Sequence, residues 1–320
     1  MTPRASHSEV GSEVNYSELG SLGKGIGLIR VWFLRALIVV APRVPVGVLY
    51  ALADVAGSVV WAASWRLRDV TRNHMRHVFG SGAQRGVVDA AARGAIVSSV
   101  RYYVDFARYA TLDPESAFEQ VDEIVGVEEL FAAYDRGRGV VLASAHLGNP
   151  EFIAQALGPF FNLMVLTEPL EPRELHELVH EVRGRSGVRF VPAGTRATRE
   201  SVRQLRCGGV VGMLVDRDVL GGAPPFPFFG ERAPMPTGAV KLAWITGAAV
   251  VLGFVTKSTV GRYRIALREV SVPHREDSSG DRVVDVEVGM RSVVSALERG
   301  ITQAPEQWFA LSPIWAPSTR

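Results

Sequence analysis

The segment Val140–Glu151, VVLASAHLGNPE, constrains the fold of this chain more than any other stretch. Its first half is apolar, rich in β-branched and small residues and preceded by Arg and Gly, which predicts a short buried strand. Asn149 then suits a helix N-cap, Pro150 the first helical position and Glu151 the first turn, where the helix dipole favours negative charge. His146 is therefore predicted to lie on the loop between strand and helix. Open parallel sheets bind their ligands at that edge.

A histidine at this position has the chemistry of a general base. A neutral imidazole can take a proton from a hydroxyl, and a nearby carboxylate such as Glu151 can hold its tautomer and stabilise the imidazolium. A histidine at a strand end is also commonly structural, and this segment alone leaves that alternative open. A metal site is not favoured, because the spacing differs from His-Glu-x-x-His and Cys207, the single cysteine, has no partner for a zinc cluster.

A second segment, residues 209–247, adds charged residues at another predicted strand end. It reads GVVGMLVDRDVLGGAPPFPFFGERAPMPTGAVKLAWITG, and its apolar start predicts a buried strand that runs into Asp216, Arg217 and Asp218. A loop rich in Gly and Pro follows, then the aromatic stretch PFFG, then Pro-Thr-Gly at the start of a predicted helix. Both segments thus place titratable side chains just beyond a strand.

Together, His146 to Glu151 and the downstream DRD, PFFG and PTGAVKLA segments resemble the bacterial late lipid A acyltransferases and their actinobacterial relatives, the phosphatidylinositol mannoside acyltransferases. These enzymes belong to the lysophospholipid acyltransferase superfamily, with its His-x4-Asp/Glu motif. The resemblance covers about Gly126 to Trp315. Glu151 stands where many members have Asp.

Further residues support the resemblance. Within Thr167–Gly187, which is similar to the helix after the family's second strand, Arg183 occupies a position where these enzymes tend to carry Arg. The PE-x-W stretch that ends at Trp308, and Trp315 near the end of the chain, are typical of the mannoside branch. They favour a phosphatidylinositol mannoside as the acceptor.

The resemblance implies an α/β fold of the glycerol-3-phosphate acyltransferase type and transfer of a fatty acyl chain from acyl-CoA to a sugar hydroxyl. Acyl-CoA would be a co-substrate, with no cofactor and no metal. A Gly-x-Ser-x-Gly nucleophile elbow is absent, so an acyl-serine route has no support in the sequence. The alternatives are a late acyltransferase that uses lipid A or another glycolipid, with acyl-CoA or acyl carrier protein as donor, a catalytically silent membrane-binding relative, and a metal-dependent phospholipid hydrolase.

The expected roles follow from this mechanism. His146 is the base, and either Glu151 or Asp216 pairs with it; the mannoside branch favours Asp216, with Glu151 bracing the loop or the helix start. Arg183 and Arg217 are expected to hold phosphates through bidentate contacts. The backbone N–H groups near Gly148 and Asn149 are expected to stabilise an oxyanion. The remaining expected substrate contacts are Asn149, Asp218, Phe228, Phe229 and Thr237, the last three as acyl-groove residues unless the aromatic side chains pack inward.

The rest of the chain predicts one large α/β domain with a mostly parallel central sheet flanked by helices, because strands alternate with helical stretches. Further strands are predicted at Leu163–Leu166, Val188–Val191, Val210–Val215, Ala249–Val255 and Tyr263–Val270. Helices are predicted at Val87–Ala110, Val127–Arg136 and Asp281–Arg299.

The N-terminal region divides into a polar tail, residues 1–20, predicted to be disordered, and residues 21–76, predicted to form membrane-associating helices ahead of the acyltransferase domain, 77–320. Two apolar blocks lie within 26–65, and the second reaches the roughly 20 residues of a membrane span. Asp54 in its middle argues against a simple span, and flanking arginines suit helices that lie on an anionic leaflet. A pair of buried core helices and a single true span are the alternatives.

Composition is consistent with this interpretation. A formal net charge of +2 does not suggest a nucleic-acid partner. Lys24, Lys241 and Lys257 are the only lysines, so the basic charge is almost wholly arginine, which suits phosphate recognition but also follows from a GC-rich genome. One cysteine excludes an intramolecular disulfide, which fits the cytoplasm. The predicted location is the cytoplasmic face of the cell membrane, as a peripheral or monotopic protein.

Overall fold

The structure, a computed structural model, describes residues 21–315 apart from 110, 113, 185, 278 and 279, so the predicted disordered tail lies outside the described residues. The strands are β1 (Val121–Val125), β2 (Val140–Ser144), β3 (Leu163–Thr167), β4 (Arg189–Pro192), β5 (Val210–Leu214), β6 (Pro225–Phe228), β7 (Glu231–Pro234), β8 (Ala249–Thr259) and β9 (Arg262–Val270).

Helices surround the strands. They are α1 (Ser21–Val40), α2 (Val46–Ala63), α3 (Trp65–Phe79), α4 (Arg85–Tyr109), α5 (Pro114–Glu119), α6 (Val127–Asp135), α7 (Pro150–Leu157), α8 (Arg173–Gly184), α9 (Thr195–Arg206), α10 (Gly238–Thr246) and α11 (Arg282–Gln303). The predicted α/β fold with helices flanking a central sheet is confirmed. The predicted boundary between residues 76 and 77 lies inside α3.

The central sheet has seven strands in the order β1-β9-β8-β2-β5-β3-β4. Neighbouring strands are parallel except for β8 and β9, which form an antiparallel hairpin. The predicted mostly parallel sheet is therefore confirmed. Because β2 and β5 are parallel neighbours, the residues that follow them meet at the same edge. That edge carries the candidate site.

Strand β2 is buried along its whole length, and its first four residues are apolar, because both of its faces are covered. Val141 and Ala143 point into one hydrophobic cluster, together with α10 and α11, whereas Val140 and Leu142 point into the opposite cluster, together with α6 and α7. This alternation is the two-residue period of a strand. Burial on both faces fixes the register of β2, and with it the position of the loop that follows.

Three local predictions differ from the structure. Asn149 precedes α7, but its side chain makes no capping hydrogen bond. The predicted Gly- and Pro-rich loop contains the antiparallel hairpin of β6 and β7. Strand β1, which was not predicted, adds to the sheet beside β9.

Helix α2 is divided between two environments. Leu49, Tyr50 and Ala53 are buried against α4 and the turn after α1, whereas the side chains of Leu52 and Val55 are exposed. Among the described residues, α2 is the one helix that is long and apolar enough to cross a membrane, judged by length and composition alone. Its exposure contradicts the alternative of a buried core helix.

Asp54, in the middle of α2, accepts two hydrogen bonds of 2.6 Å from Arg101 of α4. The carboxylate thus has a partner within the protein. Exposed apolar side chains also occur on α1 and at the start of α3. Together these exposed side chains form the apolar surface of the N-terminal helices, which consists of Ile29, Trp32, Phe33, Val48, Leu52, Val55, Val59 and Trp65.

Candidate active site

The loop after β2 is held by backbone hydrogen bonds to β8 and to the C-terminal segment. The His146 carbonyl accepts from the N–H of Phe309 at 2.8 Å, and the N–H of Gly148 donates to the Gln307 carbonyl at 2.9 Å. Gly148 has a φ of +62°, and a Cβ there would lie 2.0 Å from the Val255 carbonyl oxygen. Only glycine allows so close an approach. The loop that carries His146 is therefore rigidly placed.

These contacts contradict the predicted oxyanion donors. The Gly148 N–H is used by Gln307, and the Asn149 N–H donates to the Val255 carbonyl at 2.9 Å. A backbone donor that is already paired inside the protein cannot also be aimed at a substrate oxygen. The prediction that these two groups stabilise an oxyanion is therefore wrong.

Asp216, at the end of β5, is the carboxylate that pairs with His146. The His146 Nδ1 lies 2.8 Å from one Asp216 oxygen, and the His146 backbone N–H donates to the other at 3.0 Å. The indole Nε1–H of Trp308 donates to that second oxygen at 2.9 Å. From the sequence, Trp308 was identified only as part of the PE-x-W stretch that is typical of the mannoside branch, and no role at the site was assigned to it. Both carboxylate oxygens of this fully buried residue are thus satisfied.

The electrostatics keep Asp216 ionised. Burial alone would raise its pKa, but the attraction of His146 and the hydrogen bonds from His146 and Trp308 outweigh burial and lower the pKa to about 2. An ionised Asp216 accepts the Nδ1–H of His146, so a neutral imidazole in this place has its lone pair on Nε2. The Nε–H of Arg217 is directed at that Nε2, with 3.4 Å between the two nitrogens. The imidazole is therefore held in the tautomer that a general base needs.

Arg217 connects the histidine to two other elements. Its guanidinium forms an ion pair with Glu168, which follows β3, and lies 3.3 Å from the Ser312 hydroxyl. The side chain of Arg217 is about one-fifth exposed, and that of His146 is 17% exposed. Both side chains can therefore meet a ligand at the surface.

Glu151 has a different partner. Arg183 of α8 donates its Nε–H to Glu151 at 2.9 Å, and the Tyr102 hydroxyl lies 3.4 Å from the same oxygen. Burial by itself lowers the pKa of Arg183, but the Glu151 carboxylate more than offsets this and raises it. The pair links the start of α7 to α8 and α4. The structure thus commits Arg183 to Glu151 and does not leave it free for a substrate phosphate.

The other predicted substrate contacts are largely turned inward. Asp218 accepts backbone hydrogen bonds from Gly221 and Ala223 at 3.0 and 2.8 Å, so it shapes its own loop. Phe228 is fully buried and stacks on Trp315, with ring centroids 5.4 Å apart. Thr237 is buried and Phe229 half-buried. Phe228 and Thr237 therefore pack into the protein interior, which was the alternative to their lining an acyl groove.

Asn149 belongs to a buried polar cluster that sequence reasoning missed. Its amide donates to Asp105 of α4 at 3.2 Å and to the Tyr109 hydroxyl. Asp105 also accepts from the Tyr50 hydroxyl at 2.7 Å and pairs with Lys257 at 3.3 Å. Because Asn149 is fully buried, its side chain braces α4 against the loop, and its predicted contact with substrate is wrong.

Lys257 joins this cluster to the loop that carries His146. Its ammonium donates to the Gly148 carbonyl at 3.0 Å. Burial lowers the pKa of Lys257, and the Asp105 carboxylate opposes that effect. The sequence offered one indication that Lys257 is unusual, because it is one of only three lysines in the chain. Among the described residues, no group of three or more His, Cys, Asp and Glu side chains is placed to hold a metal ion.

Comparison with known proteins decides the family. The sequence-family model of the bacterial lipid A biosynthesis acyltransferases matches residues 26–316 of the chain. The chain belongs to this acyltransferase family. His146, Glu151 and Asp216 all lie within the matched range.

Curated relatives in the family carry a more specific name. The phosphatidylinositol mannoside acyltransferase of Mycolicibacterium smegmatis is 28% identical over 286 residues, which cover 80% of this chain and 90% of the relative. The protein of the same name from Mycobacterium tuberculosis is 28% identical over 238 residues, 72% of this chain and 71% of the relative. The family and these relatives support a glycolipid acyltransferase. They also bear out the resemblance on which the sequence prediction rests.

Proposed function

We propose that this protein transfers a fatty acyl chain from acyl-CoA to a sugar hydroxyl of a membrane glycolipid, a phosphatidylinositol mannoside. The observation that carries the chemistry is the hydrogen-bonded series Trp308, Asp216 and His146, which leaves a basic nitrogen at the surface. The similarity to relatives named phosphatidylinositol mannoside acyltransferase supports the acceptor.

In the proposed reaction His146 works through its Nε2. The acceptor hydroxyl gives its proton to Nε2 while its oxygen attacks the thioester carbonyl of acyl-CoA. Asp216 stabilises the imidazolium that forms, as the carboxylate does in a catalytic triad. Collapse of the tetrahedral intermediate breaks the carbon–sulfur bond, and the imidazolium returns the proton to the departing thiolate. The products are the acylated glycolipid and free CoA thiol.

Arg217 is the group that we assign to the developing negative charge. Its guanidinium already reaches His146 Nε2 and is partly exposed, whereas the nearby backbone donors of the loop are paired within the protein. An arriving hydroxyl would take the place of Arg217 at Nε2 and leave the guanidinium beside the reacting carbonyl. A cationic donor in that place stabilises an oxyanion.

The apolar surface of the N-terminal helices supports a place on the membrane. Arg35 lies over the ring of Trp32 and Arg66 over that of Trp65, at 6.0 and 5.5 Å from the ring centroids. Exposed aromatic side chains with adjacent arginines suit the boundary between acyl chains and anionic headgroups. Peripheral binding at the cytoplasmic face of the cell membrane is therefore proposed.

The test is acyl transfer from palmitoyl-CoA to mono- and dimannosylated phosphatidylinositol in vesicles, with free thiol and acylated lipid both followed. His146→Ala should lose at least about 10² in rate, the usual contribution of general-base catalysis. His176→Ala, a histidine of α8 outside the site, is the matched control and should retain wild-type rate. Acylation of lipid A in place of the mannolipid would contradict the acceptor, and transfer from acyl carrier protein alone would contradict the donor. A wild-type rate in His146→Ala would contradict the base.

A further inference from the structure

A separate cavity lies between α2, α4 and the turn that joins β8 to β9. Its volume is about 540 Å³, and His146 does not line it. That volume falls within the roughly 300 to 1,000 Å³ of small-molecule sites. The polar side chains that line it include Asp54, Ser58, Arg93, Ser98, Lys257 and Glu306.

Two polar groups of the residues that line the cavity have hydrogen-bonding capacity that the described residues do not use. The Ser98 hydroxyl is buried, 5% exposed for the residue, and has no hydrogen-bond partner among the described residues. The Lys257 ammonium has three donors, of which Asp105 and Gly148 take two. Leaving a buried hydroxyl unpaired destabilises a fold. A ligand whose polar atoms reached the Ser98 hydroxyl and the third Lys257 N–H would satisfy both groups.

The charges around the cavity balance. Arg101, which also lines it, pairs with Asp54 through two bonds of 2.6 Å, and Lys257 pairs with Asp105 behind the wall. Arg93 and Glu306 contribute one charge of each sign. A phosphate site has an excess of cationic donors. Balanced donors and acceptors suit hydroxyl groups instead, because each hydroxyl both donates and accepts.

The position of the cavity indicates where its ligand comes from. Helix α2 turns Tyr50, Asp54 and Ser58 to the cavity, and exposes Leu52 and Val55 on another face. If α2 lies on a membrane, as proposed above, the cavity is next to the lipid headgroups. A membrane-linked hydroxylated group is the chemistry that fits both the wall and the location.

The cavity also borders the catalytic loop. Gln307, which lines it, holds the Gly148 N–H through its carbonyl, and Lys257 holds the Gly148 carbonyl. Gly148 is two residues from His146. Gln307 and Lys257 therefore lie between a ligand in the cavity and the His146 loop.

We infer that this cavity binds an uncharged, hydroxylated ring of the acceptor glycolipid headgroup, a mannose or the inositol, distinct from the ring whose hydroxyl meets His146. The inference rests on the proposed function for the identity of the lipid. A second sugar subsite would align the headgroup before acyl transfer. It would act on affinity for the acceptor and leave the chemical step unchanged.

Binding of free sugars tests this without any acyl transfer. Methyl α-mannoside, myo-inositol and inorganic phosphate are titrated separately into the full-length protein and followed by NMR. One of the two hydroxylated probes should bind saturably. Ser98→Ala and Glu306→Gln should each weaken that binding about three- to tenfold, the size expected for one hydrogen bond. Glu287→Gln, an exposed carboxylate of α11, is the matched control and should bind as the wild type does.

Ser98→Ala removes a hydroxyl without a partner among the described residues, so it should not lower the thermal midpoint. No saturable sugar binding, or binding unchanged in both variants, would overturn the inference. Stronger binding of phosphate than of methyl α-mannoside or myo-inositol would contradict the inference that the ligand is uncharged.

Kinetics separate this inference from the proposed function. With a mannolipid acceptor, Ser98→Ala and Glu306→Gln should raise KM by a similar factor and leave kcat unchanged. If free sugar binds in the cavity but no mannolipid is acylated, the proposed function fails and the cavity assignment stands. If mannolipid is acylated with the same KM in both variants, the cavity assignment fails and the function stands.

Discussion

The hydrogen bond from Trp308 to Asp216 can be tested with a matched pair of substitutions. Trp308 and Trp315 belong to one aromatic cluster and are both buried. The Trp308 indole N–H donates to Asp216 at 2.9 Å, whereas the Trp315 indole nitrogen has no partner among the described residues. Substitution of either by Phe removes the same atoms. Only Trp308→Phe removes a hydrogen bond to a buried carboxylate.

The expected difference follows from that bond. A hydrogen bond to a charged group contributes about 1.5–3 kcal/mol, so Trp308→Phe should lower the free energy of unfolding by that much more than Trp315→Phe. The kcat of Trp308→Phe should also fall, by about tenfold, because Asp216 is less firmly oriented toward His146. Urea unfolding at pH 7 gives the first quantity, and acyl transfer with saturating substrates gives the second.

Acid unfolding supplies a third readout. The pKa of Asp216 is lowered to about 2, so its stabilising contribution is complete above the ordinary value of 3.8 and is lost as pH falls toward 2. Loss of the indole donor raises this pKa, so Trp308→Phe should unfold at a higher pH than Trp315→Phe. Equal unfolding free energies, within about 0.5 kcal/mol, together with equal kcat values would refute the role given to Trp308.

Three further predictions concern other parts of the structure. Burial lowers the pKa of His74 from 6.5 to about 4, so wild-type stability should fall by roughly 3 kcal/mol as pH drops between these values, and urea unfolding of His74→Gln should lack this fall. Lys257→Met leaves a buried carboxylate unpaired and should cost about 3–5 kcal/mol in urea unfolding, against little for Lys241→Met, an exposed lysine. The double variant Trp32→Ala, Phe33→Ala should bind anionic vesicles at least about tenfold more weakly in co-sedimentation, and unchanged binding would contradict the membrane surface.

The strand, loop and helix around His146 were predictable because their signals are local. Apolar residues ending at His146, followed by Asn-Pro-Glu, specify β2 and the start of α7 within one short segment. The choice between Glu151 and Asp216 was not local. Asp216 lies 70 positions from His146, and their contact depends on β2 and β5 being neighbours in the sheet. Only the tertiary arrangement of the strands could decide it.

Asn149 shows why a local rule failed. Residues of its type cap helices when no stronger partner is near. Here Asp105 and Tyr109, which come from a helix 40 or more positions earlier, take the side-chain amide. A buried amide must be paired, and tertiary partners replaced the cap. The bond from Trp308 to Asp216, 92 positions apart, was equally beyond local pattern.

The most direct test of the account compares the two carboxylates at the site. The rate of acyl transfer from palmitoyl-CoA to the mannolipid is measured for Asp216→Asn and Glu151→Gln. Loss of the carboxylate that orients a catalytic histidine costs on the order of 10⁴ in the Ser-His-Asp triad, so Asp216→Asn should lose about 10³–10⁴. Glu151→Gln weakens a brace to Arg183 and should lose about tenfold. A larger loss in Glu151→Gln than in Asp216→Asn would contradict the account.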